Sequence, residues 1–463
     1  MSTTVDLPAS SSVPSSPQSV RDERAAPPIS RFNLSPDDNR YTLPHVVIIG
    51  GGFGGLTAAR ALNGAPVRVT LLDRKNHHVF QPLLYQVATA GLSPGDIASP
   101  IRWILRHQRN IRVLLGEATA IDTETRHVIL DDGVIPYDYL IVATGATHAY
   151  FGHDEWRTIA PGLKDLDDAL TIRRRVLLAF EQAERQQSPR ELRRLLTFVV
   201  IGGGPTGVEL AGALAEIARQ TLRNEFRTFD PSAARVILLE GGPEILTAFP
   251  QELRENAMND LYRLGVEVRT KALVTKLSPT VVEVGNEKIE VGTVLWAAGV
   301  GASPLGASLG TPRDRAGRVI VEPDLSIPGH REVFVIGDLA AYTHQDGKLL
   351  PGVAPVAMQE AKYVAAAIES DLRKEPRNSF HYRNLGNLAT IGRAAAVADF
   401  GWIRFSGWIA WMLWLLVHIM MLVGFRNRIV VFTQWAWAYF TRQRAVRLIT
   451  DVGRPDDASP PPA

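Results

Sequence analysis

Apolar and polar positions along this chain repeat one pattern twice. Val46 to Ile49, "VVII", is wholly apolar and β-branched, as a buried parallel strand requires. Glycines interrupt it at once, and helical spacing takes over from Leu56 to Leu62. "VRVTLLD" then reads as a second strand closing on Asp73. The succession returns as "LTFVVI" ending at Ile201, a glycine turn, the long helix of "TGVELAGALAEIA", and "ARVILLE" closing on Glu240. Three more apolar runs, "YDYLIV", "TVLW" and "EVFVI", each stop at an alanine or glycine. Strands and helices alternating in this way predict an α/β protein with parallel sheets.

The glycines between strand and helix carry the first chemical signal. Gly50, Gly52 and Gly55 stand in G-x-G-x-x-G spacing, and so do Gly202, Gly204 and Gly207. The first glycine of each set permits a tight turn, the second lets a pyrophosphate approach the backbone, and the third lets helix lie on strand. Free N–H groups at the helix start then meet the phosphates. Asp73, 23 residues after Gly50, is placed to accept hydrogen bonds from a ribose. Glu240 has the same place in the second unit, after a longer connection through "FDPS". Gly241 and Gly242 follow it, with no Arg or Lys to meet a 2′-phosphate, so the second site should take NADH rather than NADPH. Two complete units predict two Rossmann-like domains. They imply electron transfer between a tightly and non-covalently held FAD, one per chain, and a diffusing NADH.

Composition narrows the destination of those electrons. The 463 residues contain no cysteine. Every electron route through a thiol or disulfide is therefore excluded, together with thiolate metal sites. The 11 histidines show no metal-binding spacing, so no metal is expected. A net charge of +2 provides no field for nucleic acid. From Phe400 to Thr450, however, there are six arginines and no acid, which leaves the remainder of the chain at −4. The Ser/Pro-rich start, residues 1–43, and the end, 451–463, read as disordered tails.

The arginines flank "WIAWMLWLLVHIMMLVGF". Gly407 to Phe425 is 19 residues without a fixed charge, about 28 Å as a helix against a hydrocarbon layer of ~30 Å. Six of nine tryptophans lie beyond residue 400, and Trp411 and Trp414 run inward rather than marking the ends of a span. Helices lying in the bilayer interface fit this pattern best. A single span and a buried core or dimer contact stand as alternatives.

Taken together, "VVIIGGGFGGL", "NHHVFQPLLYQVATAGLSP", "LWAAGV", "VFVIGDLA" and "LPGVAPVAMQEAKYVA", with the tryptophan-rich end, resemble the type II NADH:quinone oxidoreductases over about residues 44–450. The resemblance implies a glutathione-reductase-like arrangement with the NADH domain inserted in the FAD domain. FAD-binding parts would cover 44–163 and 311–395, the NADH domain 164–310, and amphipathic membrane-anchoring helices 396–450. It implies a non-pumping respiratory enzyme passing electrons from NADH through FAD to a membrane quinone. The enzyme would lie on the cytoplasmic side of the inner membrane, against the lipid surface, with a homodimer through the C-terminal region a further expectation. By the same resemblance, Ala143, Thr144, Gly145 and Gly299 mark crossings between lobes, and Gly337 and Asp338 hold the flavin ribityl chain. The family's A-Q-x-A-x-Q quinone motif reads Ala354 to Gln359 here. Pro355 replaces the first Gln, and Gln359 remains as quinone contact or as a helix-start residue bonding backbone. His78, Gln81, Pro82 and Tyr85 fall in the stretch that passes the flavin ring, with Tyr85 expected beside the quinone ring together with Gln359, and His77 and His78 equally readable as surface or cap residues. Glu181 is the expected proton relay, and Glu209 the acid beside the NADH ribose or nicotinamide. A soluble reductase of ferredoxin or rubredoxin, an NADH-sensing flavoprotein resembling apoptosis-inducing factors, and a quinone reductase with another donor are the competing readings.

Overall fold

The computed structural model describes residues 42–444 and 446–449, so nearly all of the two expected tails lies outside the described residues. Leu43 already belongs to the fold, since its carbonyl accepts a hydrogen bond from Arg68 Nε at 3.1 Å.

Two parallel sheets form as the apolar runs predict. The first has the order Ser326–Ile327, His330–Val335, Tyr139–Val142, His45–Ile49, Arg68–Asp73, Ile111–Leu115, parallel except at its outer two-residue strand. His45–Ile49 is buried throughout, as befits a strand covered on both faces. Helix Phe53–Ala61 leaves the end of that strand and packs on helix Ala354–Leu372. The second sheet has the order Val266–Arg269, Arg235–Leu239, Thr197–Ile201, Thr293–Trp296, all parallel. Helix Pro205–Glu216 follows its central strand.

The lobes are joined where the sequence places the crossings. Ala146–His148 pairs antiparallel with Val300–Ala302, directly after Ala143-Thr144-Gly145 and Ala297-Ala298-Gly299. The second lobe is thus an insertion in the first, whose sheet is completed by residues beyond 325.

A third unit begins at Asn387. Strands Asn387–Gly392, Ala395–Asp399 and Arg404–Ser406 form an antiparallel meander. A division at residue 396 falls inside its first hairpin, whose turn at Ala394 has φ +58°. Gly212 lets this unit dock directly on helix Pro205–Glu216, because a Cβ there would lie 1.8 Å from the Ile391 carbonyl oxygen.

The long apolar stretch is one helix and a turn, and a second helix starts at its last residue. Gly407–Met421 has 15 residues and Phe425–Thr441 has 17. At 1.5 Å per residue the first reaches only about 22 Å. The break occurs where Leu422 turns extended (ψ 135°) and Gly424 takes φ +92°. Among the described residues no helix is long and apolar enough to cross a membrane. Ala410 and Trp414 on the first helix are buried, and the helix packs on strand Ala395–Asp399. Its other face exposes Trp408, Ile409, Met412, Leu416 and Met420. A helix apolar on both sides buries one against protein and leaves the other in want of an apolar medium.

Candidate functional site

The two glycine loops have the same geometry. Gly50 has φ +104° and Gly202 φ +111°, a region that costs an L side chain heavily. A Cβ on Gly55 would lie 1.7 Å from the Gly50 carbonyl oxygen, and one on Gly207 would lie 1.8 Å from that of Gly202. These contacts seat helix on strand. Gly52 and Gly204, by contrast, face open space, where a pyrophosphate fits. Asp73 accepts the Gly51 N–H at 2.5 Å and the Lys75 N–H at 2.6 Å. Glu240 accepts the N–H groups of Gly203 and Gly242, each at 2.6 Å.

The residues around the first loop fit an FAD. The buried Thr144 hydroxyl, beside the Gly50 turn, has no hydrogen-bond partner, as a donor reserved for a ligand would. Gly337, at φ +71°, gives its N–H to Glu360 at 2.5 Å, and this turn presents Asp338. Glu360 is 1% exposed, and burial pushes its pKa up to about 8 despite that hydrogen bond. Lys164 is held at the lobe junction by its N–H to Asp168 at 2.8 Å, and burial lowers its pKa against the opposing charges of Asp338 and Asp168. His78 serves the loop, with Nδ1 3.0 Å from the Gly51 carbonyl oxygen and its ring edge-on to Phe53. Burial lowers its pKa and favours the neutral ring. Gly299 backs closely onto the Phe151 ring.

A pocket of about 130 Å³, partly open to solvent, lies between helix Pro205–Glu216, the Asn387–Gly392 strand and the two C-terminal helices. Tyr85, Glu209, Trp414 and Trp435 are among its walls. The helix carrying Glu209 continues as a π-turn, Ile217–Thr221, which adds Gln220 and Thr221 to the wall. Trp435 donates from Nε1 to Gln86 Oε1 at 2.6 Å, and Gln86 donates from Nε2 to the Tyr85 hydroxyl at 2.8 Å. That chain leaves the Tyr85 O–H free to donate. Burial raises the Tyr85 pKa well above its usual value, so the proton stays on. Trp414 is 2% exposed and its Nε1–H has no partner. Glu209 is lodged deep in the wall with part of its surface on the pocket. Loss of water pushes its pKa up to about 8, opposed by the Thr390 backbone N–H. The pocket wall therefore brings together the Tyr85 hydroxyl, the Trp414 indole and a carboxyl that keeps its proton at neutral pH.

Several expected site residues stand elsewhere. Gln359 uses both ends of its amide on the Arg383 backbone, donating at 2.9 Å and accepting at 3.0 Å, which is the backbone-bonding alternative. Glu181 lies on the exposed face of helix Leu166–Glu184, whose buried positions include Ile172, Val176 and Phe180, so a relay there has no buried path to follow. Glu209 is at the aromatic pocket, opposite Tyr85. Gln81 reaches the Lys164 carbonyl, 3.4 Å away, and Pro82 opens a short 3-10 turn before Tyr85. His77 shares a hydrogen bond with Asn76. His418 stacks on Trp414 and bonds its carbonyl at 2.7 Å, a local role, and burial lowers its pKa to about 4. Among the described residues no acid or histidine cluster could hold a metal ion.

The C-terminal arginines also divide. Arg404 pairs with Asp399, Arg444 with Glu216 at 2.9 Å and Arg447 with Glu225, so three of the six are ion-paired within the protein, and Arg428 donates to the Leu422 carbonyl at 2.9 Å. Arg444 also donates to the Thr89 carbonyl, and Arg393 stacks over Tyr439. None of these long-range pairings has a spacing signal in the sequence.

Comparison with known proteins agrees with this layout. Residues 44–361 match the family described as pyridine nucleotide-disulphide oxidoreductase, and residues 384–443 match an NDH2 C-terminal domain. The chain is 48% identical over 423 residues to a type II NADH:quinone oxidoreductase of Mycobacterium tuberculosis, NdhA, covering 88% of this chain and 89% of that one. It is 46% identical over 422 residues to a second from the same organism, Ndh, covering 88% and 90%. Its fold matches NDH2 of Plasmodium falciparum, solved with NADH, with a TM-score of 0.80 at 22% identity over 88% of this chain and 100% of that one. A sulfide:quinone oxidoreductase of Aquifex aeolicus shares the fold less closely, with a TM-score of 0.64 at 20% identity over 83% and 92%.

Proposed function

Because the chain belongs to the pyridine nucleotide-disulphide oxidoreductases, and within them to the type II NADH:quinone oxidoreductases, we propose that quinone is reduced in the pocket beneath its C-terminal helices. The enzyme is an FAD-dependent NADH dehydrogenase. FAD, when bound, supplies the two-electron relay from NADH to quinone. The Gly202–Gly207 loop and Glu240 hold and orient NADH, and the Gly50–Gly55 loop with Asp73 holds the cofactor. Tyr85, Trp414 and Glu209 act on the quinone. A quinone has a flat apolar ring and two carbonyl acceptors, and its reduction consumes two protons. The aromatic walls match the ring, the free Tyr85 O–H and Trp414 N–H match the carbonyls, and Glu209 provides a proton held at neutral pH. The observation that carries this reading is the unpartnered, buried Nε1 of Trp414, a residue that lines the pocket.

The exposed apolar faces of the C-terminal helices suit the surface of a bilayer, in which the quinone is dissolved. We place the enzyme peripherally on the cytoplasmic face of the inner membrane. A homodimer through this region would draw on the same apolar face. A soluble ferredoxin-type reductase or an NADH sensor has no use for such a face. In the direct test, NADH bleaches the flavin of the purified enzyme and a short-chain quinone restores its colour. Replacement of Trp414 by Phe should raise the quinone KM severalfold and leave flavin reduction by NADH unchanged. An unaltered quinone KM would remove Trp414 and its pocket from the mechanism.

A further inference from the structure

The segment Ile101 to Arg112, "IRWILRHQRNIR", belongs to the FAD lobe and plays no part in the sites above. Between Ile97 and Gly116 it holds Arg102, Arg106, Arg109 and Arg112 and no acidic residue. Arg102, Trp103, Arg106 and Arg109 are all exposed. Trp103 is 47% exposed, although an indole this large is ordinarily well covered. Arg106 donates to the Trp103 carbonyl at 2.7 Å and lies over its ring at 4.3 Å, so tryptophan and cation form one unit.

This unit adjoins the C-terminal helices. A Cβ on Gly424, in the turn between them, would lie 3.8 Å from the Trp103 ring. The next residues, Phe425 and Arg426, are exposed, with Phe425 at 77%. The start of the second helix is fixed to the same segment by Asn427, whose Nδ2 donates to Ser99 Oγ at 3.3 Å in a buried contact. Trp103 and its arginines therefore continue the apolar face of the helices into the FAD lobe, with an aromatic ring at the rim and cations outside it. This is the order in which side chains meet a bilayer: apolar groups deepest, indoles at the interface, cations among the headgroups.

We propose that Trp103, Arg102, Arg106 and Arg109 form a second lipid contact, which binds anionic headgroups and orients the FAD lobe against the bilayer. The proposal rests on the membrane reading of the C-terminal helices and adds to it a choice of headgroup charge. Two attachment points, one on the helices and one on the FAD lobe, restrict tilt where a single hairpin would leave the enzyme free to rock. The arginines are set apart from the ion-paired Arg404, Arg444 and Arg447, and add to the exposed Arg426 and Arg442 of the C-terminal unit.

The test is co-sedimentation of the full-length, FAD-loaded enzyme with vesicles of phosphatidylcholine alone, or with a third phosphatidylglycerol. Wild type should bind both, and the anionic vesicles more tightly. Arg102→Gln/Arg106→Gln should lose roughly fivefold in anionic-vesicle partitioning per arginine and change little on neutral vesicles. Trp103→Ser should lose severalfold on both. NADH oxidation with a water-soluble acceptor, unchanged in every variant, shows that the fold and FAD are retained. If the arginine variant binds anionic vesicles like wild type, or loses equally on both vesicle types, the proposal is overturned and the membrane reading stands. If wild type binds neither vesicle, the membrane reading itself fails.

Discussion

Asp73 and Glu240 make the same contact in two different lobes. Each closes the second strand of its unit, and each accepts the N–H of the residue after the first glycine, at 2.5 and 2.6 Å. The carboxylates thus shape the loops, and in the proposed function they also meet the riboses. Glu240→Ala should raise the NADH KM about tenfold or more, since hydrogen bonds to a charged group contribute roughly 1.5–3 kcal/mol each. Steady-state kinetics at saturating quinone measures this, and an unchanged KM would refute the role. Asp73→Ala should instead release flavin, read as a lower ratio of absorbance near 450 nm to protein after gel filtration.

If Glu209 supplies the quinone's proton as proposed, it sets a pH limit on quinone reduction. With its pKa pushed up to about 8, the carboxyl is protonated at neutral pH and ionises above that. Reoxidation of the reduced flavin by quinone should therefore slow above about pH 8. Stopped-flow traces from pH 6 to 10 would show a single-proton limb in wild type and its absence in Glu209→Gln.

The same shift has a stability sign. A raised pKa in the folded chain means that the contribution is full below the ordinary glutamate value of 4.5 and is lost as pH rises through about 8. Glu360 shifts in the same direction and to about the same value. Both groups should thus lower the melting temperature as pH rises from about 4.5 to about 8. Glu360→Gln and Glu209→Gln should each lessen that drop, but only the Glu209 change should alter the quinone limb.

Arg444 fastens the end of the chain. It pairs with Glu216 at 2.9 Å and donates to the Thr89 carbonyl, and both partners of the ion pair are largely shielded. Arg444→Ala leaves Glu216 with only the Arg393 N–H. A loss of about 2 kcal/mol is expected, less than for a fully buried pair. Thermal melts should record it, and trypsin should cleave the C-terminal segment faster than in wild type.

Gly212 sets how closely the C-terminal unit approaches the NADH lobe. A methyl group placed 1.8 Å from the Ile391 carbonyl oxygen cannot be accommodated without moving one of the two elements. Gly212→Ala should cost about 1–3 kcal/mol as overpacking. It should lower quinone turnover while NADH oxidation by ferricyanide persists. Equal losses in the two assays would show that the contact does not govern the pocket.

The two loops were legible because each unit presents the same elements in the same order along one continuous segment: strand, three glycines, helix, strand, acid. Their geometry follows from local sterics, and Gly50 and Gly202 show it. The pocket was not legible in the same way. Tyr85, Glu209, Thr390 and Trp414 come from four distant segments, and nothing in their spacing says that they meet. Glu181 and Glu209 illustrate the difference. Both follow apolar residues on helices, yet one faces water and the other faces aromatic rings. Only the packing of a third element, the Asn387–Gly392 strand, separates them. Gln359 was found by its motif and its partner was not, because the Arg383 backbone reaches it from 24 positions away. The apolar stretch was read as uncharged over 19 residues, and its division depended on one glycine with positive φ.

The C-terminal helices form the pocket's walls on one side and the exposed apolar face on the other. In the proposed function, anchor and quinone pocket are one object, and they cannot be separated by trimming. A chain cut before Gly407 would not be a smaller, soluble quinone reductase. It would be an NADH-oxidising flavoprotein with nowhere to put a quinone, and its electrons would leave for whatever small oxidant in the water reached the flavin first.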